Sequence, residues 1–167
     1  MRCTVVAITG HDASPEEEGQ MDELWATVMV VSGGLFAGGV MSIAAERVPN
    51  WRRTPLPDFR IGFAQTLRRV DRLQPALLSV CLLSTIGFAA SAAGAARTLA
   101  VVAAAGFLLI LIGSVAWLVP IQRTLKAGAE LPPAAVEGLR ARWLRGHLVR
   151  TVVGVALFIV AVVATTV

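Results

Sequence analysis

Four long apolar runs alternate with polar stretches along the chain, at residues 24–45, 75–96, 98–120 and 148–167. Each run holds about 20 residues or more, enough at about 1.5 Å per helical residue to cross a hydrocarbon core of about 30 Å. Hydrophobic residues make up 56% of the chain, more than the roughly 45–50% of soluble domains. The pattern therefore predicts an all-α integral membrane protein, a four-helix bundle occupying residues 24–167 as one membrane domain.

The first 23 residues differ from the rest in being acidic, with Asp12, Glu16, Glu17 and Glu18, and in lacking apolar periodicity. Such a composition cannot bury enough apolar surface to offset the cost of ordering. We expect residues 1–23 to form a flexible tail, and we find no pattern of a cleaved signal peptide in them.

The connection between the first two runs has its own helical pattern. Asp58 is a good N-terminal cap, and apolar residues then recur at helical spacing: Phe59, Phe63, Leu67, Val70 and Leu73. Arg60, Arg68 and Arg72 fall elsewhere on the helical wheel. This predicts an amphipathic interfacial helix between spans 1 and 2, with a bend at Pro75. In the later connection, Pro132 or Pro133 is expected to start a helix that continues into the fourth span.

Arginine and lysine are concentrated in the two long connections. Seven arginines lie in residues 46–74 and five basic residues in 121–147, whereas only Arg97 separates spans 2 and 3. Basic loops stay in the cytoplasm, so we expect both long connections inside, both termini outside, and the plasma membrane as the location. The basic charge is explained by topology, and a nucleic-acid partner is not expected because the chain has no Tyr and no basic folded domain.

Small residues at four-residue intervals in the first span, Gly34, Gly38 and Ser42, predict a close helix contact. A second stripe contains Ser84, Gly87, Ser91 and Gly94. The contact is either within the bundle, which we favour, or between copies in a homo-oligomer.

The best candidate site lies where the fourth span begins. Trp143, His147 and Arg150 share one helical face, and a polar stripe entering a membrane must face other protein. Gln122 and Arg123, after the third span, and Glu46, after the first, are expected at the same membrane surface. Structural alternatives remain: Trp143 as an interfacial anchor, His147 and Arg150 in interhelix hydrogen bonds, and Glu46 in an ion pair with Arg150 or Arg123. The His, Cys and carboxylate residues form no metal-binding pattern, and no phosphate loop is present.

Two segments, Trp117-Leu-Val-Pro-Ile-Gln-Arg123 and Arg142-Trp-Leu-Arg-Gly-His-Leu-Val-Arg-Thr151, resemble the anthrone oxygenase family of small four-helix membrane proteins. Gln122 stands where Asn is common in that family. The resemblance implies oxygenation, without metal or other cofactor, of a lipophilic anthrone-like aromatic polyketide to a quinone. It implies His147 as general base and Arg150 or Arg123 as partner of the phenolate. Gln122 would orient the substrate, Trp143 would stack on it, and Glu46 would complete the binding set.

Two other classes of function stay open. A small exporter of lipophilic compounds suits the size and the number of spans, but proton-coupled transport generally needs an ionisable group near mid-membrane, and the predicted spans contain none between their ends. A non-catalytic membrane scaffold is the third reading.

Overall fold

The computed structural model describes residues 15–70, 72–127 and 131–167. Within these ranges the chain is helical and has no strand, which confirms the all-α prediction. The helices are α1 (Pro15–Ser42), α2 (Val48–Arg53), α3 (Leu56–Val70), α4 (Leu73–Ser91), α5 (Gly94–Gly113), α6 (Val119–Lys126) and α7 (Pro133–Ala164). Two π-helical segments, Ile43–Arg47 and Ser114–Leu118, join α1 to α2 and α5 to α6.

Four helical stretches are long and apolar enough to span a membrane: Gly19–Arg53, Leu73–Ser91, Gly94–Lys126 and Pro133–Ala164. They form a closed bundle in which α1 packs on α4 and α7, and α5 packs on the same two helices. The predicted four-span bundle is therefore confirmed. Helices α2, α3 and α6 gather at one end of the bundle, which we call the connection end because both long connections lie there.

The core has two parts. One runs through the bundle and includes Phe36, Leu78 and Phe107. The other lies at the connection end, where α3 buries Phe59, Phe63 and Leu67 against residues of α2, α6 and α7. The amphipathic helix predicted between spans 1 and 2 is thus α3, and its apolar face is covered by protein. Leu73, predicted on that face, is exposed and begins α4.

Helix α1 begins earlier than expected. Residues 15–23, which we had assigned to a flexible tail, are helical. Pro15 suits the first position of a helix, and Glu16 and Glu17 in the first turn complement the positive end of the helix dipole. The expectation for residues 1–14 lies outside the described residues. At the start of α7 the expectation holds, since the helix begins at Pro133 and continues through the fourth span.

The turn between spans 2 and 3 also differs in position. Helix α4 ends at Ser91, five residues before the predicted end of the span at residue 96, and Ala92 and Ala93 form the turn. Gly94 follows with a φ of 57°, a left-handed conformation that costs glycine little and other residues more. We had placed Gly94 on a packing stripe, whereas it serves the turn.

Both π-helical segments stop one residue before a Val-Pro pair, Val48-Pro49 and Val119-Pro120. Proline has no backbone N–H, so the carbonyl four residues earlier loses its α-helical partner. A wider turn just upstream is one way for a helix to accommodate this loss. The two irregular turns lie at the same end of the bundle.

The predicted glycine contact is offset by one residue. A side chain added at Gly38 would meet nothing within 4 Å, and Ser42 is exposed, so this part of the prediction was wrong. Gly33 is the close contact: a Cβ there would lie 3.0 Å from Phe158 and 3.1 Å from the Cys81 sulfur. Gly34 also faces Phe158, at 3.4 Å. The contact found for α1 is within the bundle, and a homo-oligomer stays a prediction.

Candidate functional site

A partly open cavity of about 260 Å³ lies among the spanning helices near the connection end of the bundle. All four spanning stretches contribute to its wall, including both π-helical segments. Its lining includes Phe36, Ile43, Gln74, Leu78, Ser114, Leu118, Gln122, Arg123, Trp143 and Arg150. Small-molecule pockets are commonly about 300–1,000 Å³, so this cavity lies just below the lower end of that range.

Four polar atoms of residues on this wall are buried without a hydrogen-bond partner: Gln74 Oε1, Ser114 Oγ, Trp143 Nε1 and Arg150 Nε. In the described part of the chain only one further side-chain atom, Asp22 Oδ1, has the same status. An unpaired buried polar group costs about 1–3 kcal/mol, and buried polar groups are seldom left unpaired. Four of the five such atoms in the described part of the chain thus belong to residues that line this one cavity.

The Ser114 hydroxyl oxygen differs from other buried hydroxyl oxygens of the spans in its hydrogen bonding. Ser84, Thr85 and Thr151 each donate to the backbone carbonyl four residues earlier, at 2.8, 2.6 and 2.9 Å. Ser114, the first residue of a π-helical segment, has no such bond and borders the cavity. Its hydroxyl oxygen is therefore buried and unpaired in a residue of the cavity wall.

His147 lies behind this wall and is fully buried. Its Nδ1 is 3.0 Å from Nη2 of Arg150, and its Nε2 is 3.3 Å from the carbonyl oxygen of Val40 in α1. A guanidinium can only donate hydrogen bonds, so Nδ1 must accept and Nε2 must carry the proton donated to Val40. His147 is held as a neutral ring, and its one lone pair is engaged by Arg150.

Trp143 connects His147 to an aromatic cluster at the connection end. Its ring is stacked on His147, with centroids 5.0 Å apart and planes 4° from parallel. Trp51 and Phe63 approach Trp143 edge-on, at 5.6 and 4.9 Å. Trp143 is only 1% exposed, whereas Trp117 on the outer surface is 59% exposed. Packing of this kind fixes the orientation of the indole, and its N–H group has no protein partner.

Arg140 holds the aromatic cluster in place. Its Nη1 donates to the carbonyl oxygens of Trp51, at 3.1 Å, and Thr54, at 2.7 Å, at the C-terminal end of α2. The guanidinium also lies 5.4 Å from the centre of the Phe59 ring and bonds to Glu137. A cation bonded to the last carbonyls of a helix is a favourable C-terminal cap. This contact ties α2 and α3 to α7, beside Trp143.

The charged side chains that line the cavity, among the described residues, are cationic. Arg123, Lys126 and Arg150 line it, and no Asp or Glu does so among the residues that the structure describes. Opposite charges favour one another most where water is excluded. The cavity is therefore suited to a ligand that carries or develops negative charge.

Most of the residues predicted for the site meet here. Gln122, Arg123, Trp143 and Arg150 line one cavity. His147 lies in contact with two of them. Glu46 does not join them: its side chain is 70% exposed and its ion-pair partner is Arg47, at 3.5 Å, so the expected ion pair with Arg150 or Arg123 is not formed.

Gln74 and Ser114 were missed. Each is a lone polar residue within or beside an apolar run, and an intramembrane polar residue is a signal for function. In the part of the chain that the structure describes, no group of three or more His, Cys, Asp or Glu side chains is placed to hold a metal ion.

A protein-family model described as anthrone oxygenase matches residues 63–160 of the chain. The match covers more than half of the sequence and includes α4, α5, α6 and most of α7. No curated protein and no solved structure matches the chain. The chain belongs to the anthrone oxygenase family.

Proposed function

We propose that this anthrone oxygenase family member is a membrane-embedded oxygenase that binds a flat, lipophilic hydroxyarene of the anthrone type in the cavity and converts it to a quinone. The observation that carries the proposal is that four residues with a buried, unpartnered polar atom line one cavity together with cationic side chains. The family match supports the reaction class.

The unpartnered groups complement a hydroxyarene. Trp143 Nε1 and Arg150 Nε are hydrogen-bond donors, which suit the oxygen of a phenol or phenolate. Gln74 Oε1 is an acceptor and suits a hydroxyl group on the same ring system. Apolar wall residues such as Phe36 and Leu78 provide contact for the rings.

The reaction balances with dioxygen as the only co-reactant. An anthrone loses a proton from its methylene carbon, and the resulting anion is an aromatic phenolate. The carbanion carbon forms a bond to dioxygen, and the peroxide anion takes up a proton. The hydroperoxide then loses water by cleavage of its O–O bond and the remaining C–H bond, which leaves a quinone carbonyl. The methylene supplies the electrons, so one anthrone and one dioxygen give one quinone and one water.

Arg150 has the central role in this scheme. A cationic donor in a mostly apolar cavity stabilises the phenolate and so favours loss of the methylene proton. When Arg150 turns from His147 to the phenolate oxygen, Nδ1 of His147 is released to accept that proton. One movement thus supplies both the oxyanion partner and the base. Gln122 and Arg123, on α6, orient the substrate.

The test is dioxygen consumption by the purified protein supplied with anthrone, with quinone formation followed by absorbance. Arg150→Met retains the length of the side chain but removes the charge and its donors, and we expect turnover to fall by about 10²-fold or more. Arg142→Met is the matched control, because Arg142 is an exposed arginine of the same helix outside the cavity lining. We expect the control to retain wild-type turnover.

Two further variants test the roles of His147 and Trp143 separately. His147→Ala should lower turnover by about 10²- to 10⁴-fold, as for loss of a general base. Trp143→Phe retains the ring packing and removes only the N–H donor, so we expect weaker binding by roughly 2- to 10-fold. Equal turnover in Arg150→Met and Arg142→Met would contradict the oxyanion role. Binding of a hydroxyanthraquinone without any dioxygen consumption would favour an exporter or a scaffold.

A further inference from the structure

A second cleft, of about 390 Å³, lies on the outside of the bundle between α5 and α7. Its lining is mostly apolar and includes Gly113, Trp117, Val149 and Leu157. Val149 is 64% exposed and Trp117 59%, although both belong to stretches that are apolar enough to span a membrane. The cleft therefore opens onto the surface that a bilayer would cover.

The outer cleft and the inner cavity share part of their walls. Ser114, Leu118 and Arg150 line both. These three side chains form a partition, in that they separate the lipid-facing cleft from the proposed substrate site. Two of the three, Ser114 and Leu118, are the ends of a π-helical segment, and such segments are frequent at functional sites.

Leu118 is the apolar member of the partition, and its packing explains a glycine. A Cβ added at Gly146 of α7 would lie 2.8 Å from Cδ2 of Leu118, so the absence of a side chain at Gly146 makes room for Leu118. A leucine changes rotamer without breaking a hydrogen bond, so Leu118 can move aside more readily than the charged side chains of Arg123 and Lys126, which also line the inner cavity.

We propose that the cleft between α5 and α7 is a lateral portal, through which a flat lipophilic hydroxyarene passes from the bilayer past Leu118 into the inner cavity. This inference rests on the proposed function, because the molecule that passes is the ligand of that cavity. A polycyclic aromatic is concentrated in lipid by its own hydrophobicity. Trp117 offers an exposed aromatic face at the cleft.

A substitution at Gly113 can test the portal without disturbing the packing of the helices. Gly113 lines the cleft, and a Cβ added there would meet nothing within 4 Å. Gly113→Phe should fill the cleft without displacing the packed core. Gly38→Phe is the matched control, since Gly38 also meets nothing within 4 Å, belongs to a spanning stretch, and does not line the cleft.

The measurement uses the full chain in phosphatidylcholine vesicles and the dihydroxyanthraquinone dye alizarin, with stopped-flow energy transfer from tryptophan. In Gly113→Phe we expect the association and dissociation rates to fall together by about 10-fold or more. The dissociation constant should remain within about threefold of wild type, which also shows that the inner site is folded. Gly38→Phe should have wild-type rates, and Leu118→Ala should raise both rates.

The outcomes separate the portal from the proposed function. Wild-type rates in Gly113→Phe, with unchanged affinity, would overturn the portal and leave the inner site intact. A weaker affinity with an unchanged association rate would also overturn it, because the cleft would then be part of the binding site. If wild-type protein does not bind alizarin, the proposed function fails and the portal fails with it. Because the assay reads binding, a failure to consume dioxygen would not alter the result for the portal.

Discussion

Two neighbouring glycines of α1 should respond in opposite ways to the same added methyl group. Gly38 faces open space. At Gly39, a Cβ would collide with the side-chain amide of Gln74, whose Nε2 is the nearest atom and whose Cδ would be 3.1 Å away. Gln74 is only 8% exposed, so it cannot turn into solvent. Its remaining free direction is into the cavity that it lines.

The expected magnitudes follow from two terms. Replacing glycine by alanine inside a helix stabilises it by about 1 kcal/mol, and this term is common to both positions. Forcing additional volume into a packed site costs about 1–3 kcal/mol, and this term applies only to Gly39. Gly38→Ala should therefore stabilise the protein by about 1 kcal/mol. Gly39→Ala should range from neutral to destabilised by about 2 kcal/mol.

The free energy of unfolding would be measured by titration with dodecyl sulfate in mixed micelles, followed by tryptophan fluorescence. Alizarin affinity would be measured on the same samples, and we expect it to weaken only in Gly39→Ala, because Gln74 is displaced there. If both variants gain the same stability and bind the dye equally, Gln74 does not lie against Gly39 as described, and its place on the cavity wall is wrong.

Arg140→Met should destabilise the protein by about 3 kcal/mol or more, because two charge-assisted bonds to carbonyls of α2 are lost at about 1.5–3 kcal/mol each. The exposed neighbour Arg142→Met should stay within about 0.5 kcal/mol of wild type in the same titration; equal unfolding of the two variants would contradict the capping role. The arginine distribution predicts that single cysteines at Ala134 and Thr166, introduced into cysteine-free protein, are labelled from opposite sides of the membrane. Labelling from one side would refute the orientation.

The four spans were predictable because a bilayer imposes a simple rule on sequence, namely a long apolar run for each crossing. The helix ends were less predictable. An acidic segment beginning with Pro15 resembles a disordered tail by composition, yet residues 15–23 are helical in the structure. The turn within the apolar run at residues 75–96 was not predicted, because Ala92 and Ala93 are as apolar as the span. Only Gly94 indicates in the sequence that the helix ends there.

The site was predictable where helical spacing alone decides it. Trp143, His147 and Arg150 lie on one uninterrupted helix, so their common face could be counted from the sequence. Glu46 lies in the π-helical segment after α1. The prediction for Glu46 rested only on its position at the end of the first span, and the wider turn changes the direction of the side chains by about 100° relative to an α-helix. The structure accordingly places Glu46 at the surface.

Two features of the site could not be predicted from residue spacing, because they depend on side-chain positions. One is the hydrogen bond between Arg150 and His147, and the other is the wall shared by the two cavities. Four unpartnered atoms at about 1–3 kcal/mol each would be a serious burden for a bundle whose surroundings are lipid. The prolines explain how the chain sustains them. Pro49 and Pro120 each interrupt the regular helix where it reaches the connection end, and the π-helical segments before them line the cavity instead of closing it. Ser84, in a regular helix, donates to the carbonyl of Val80. Ser114, at the start of the irregular turn, makes no such bond and lines the same cavity as Arg150, so under the proposed function a ligand that pairs with both side chains would stabilise the protein.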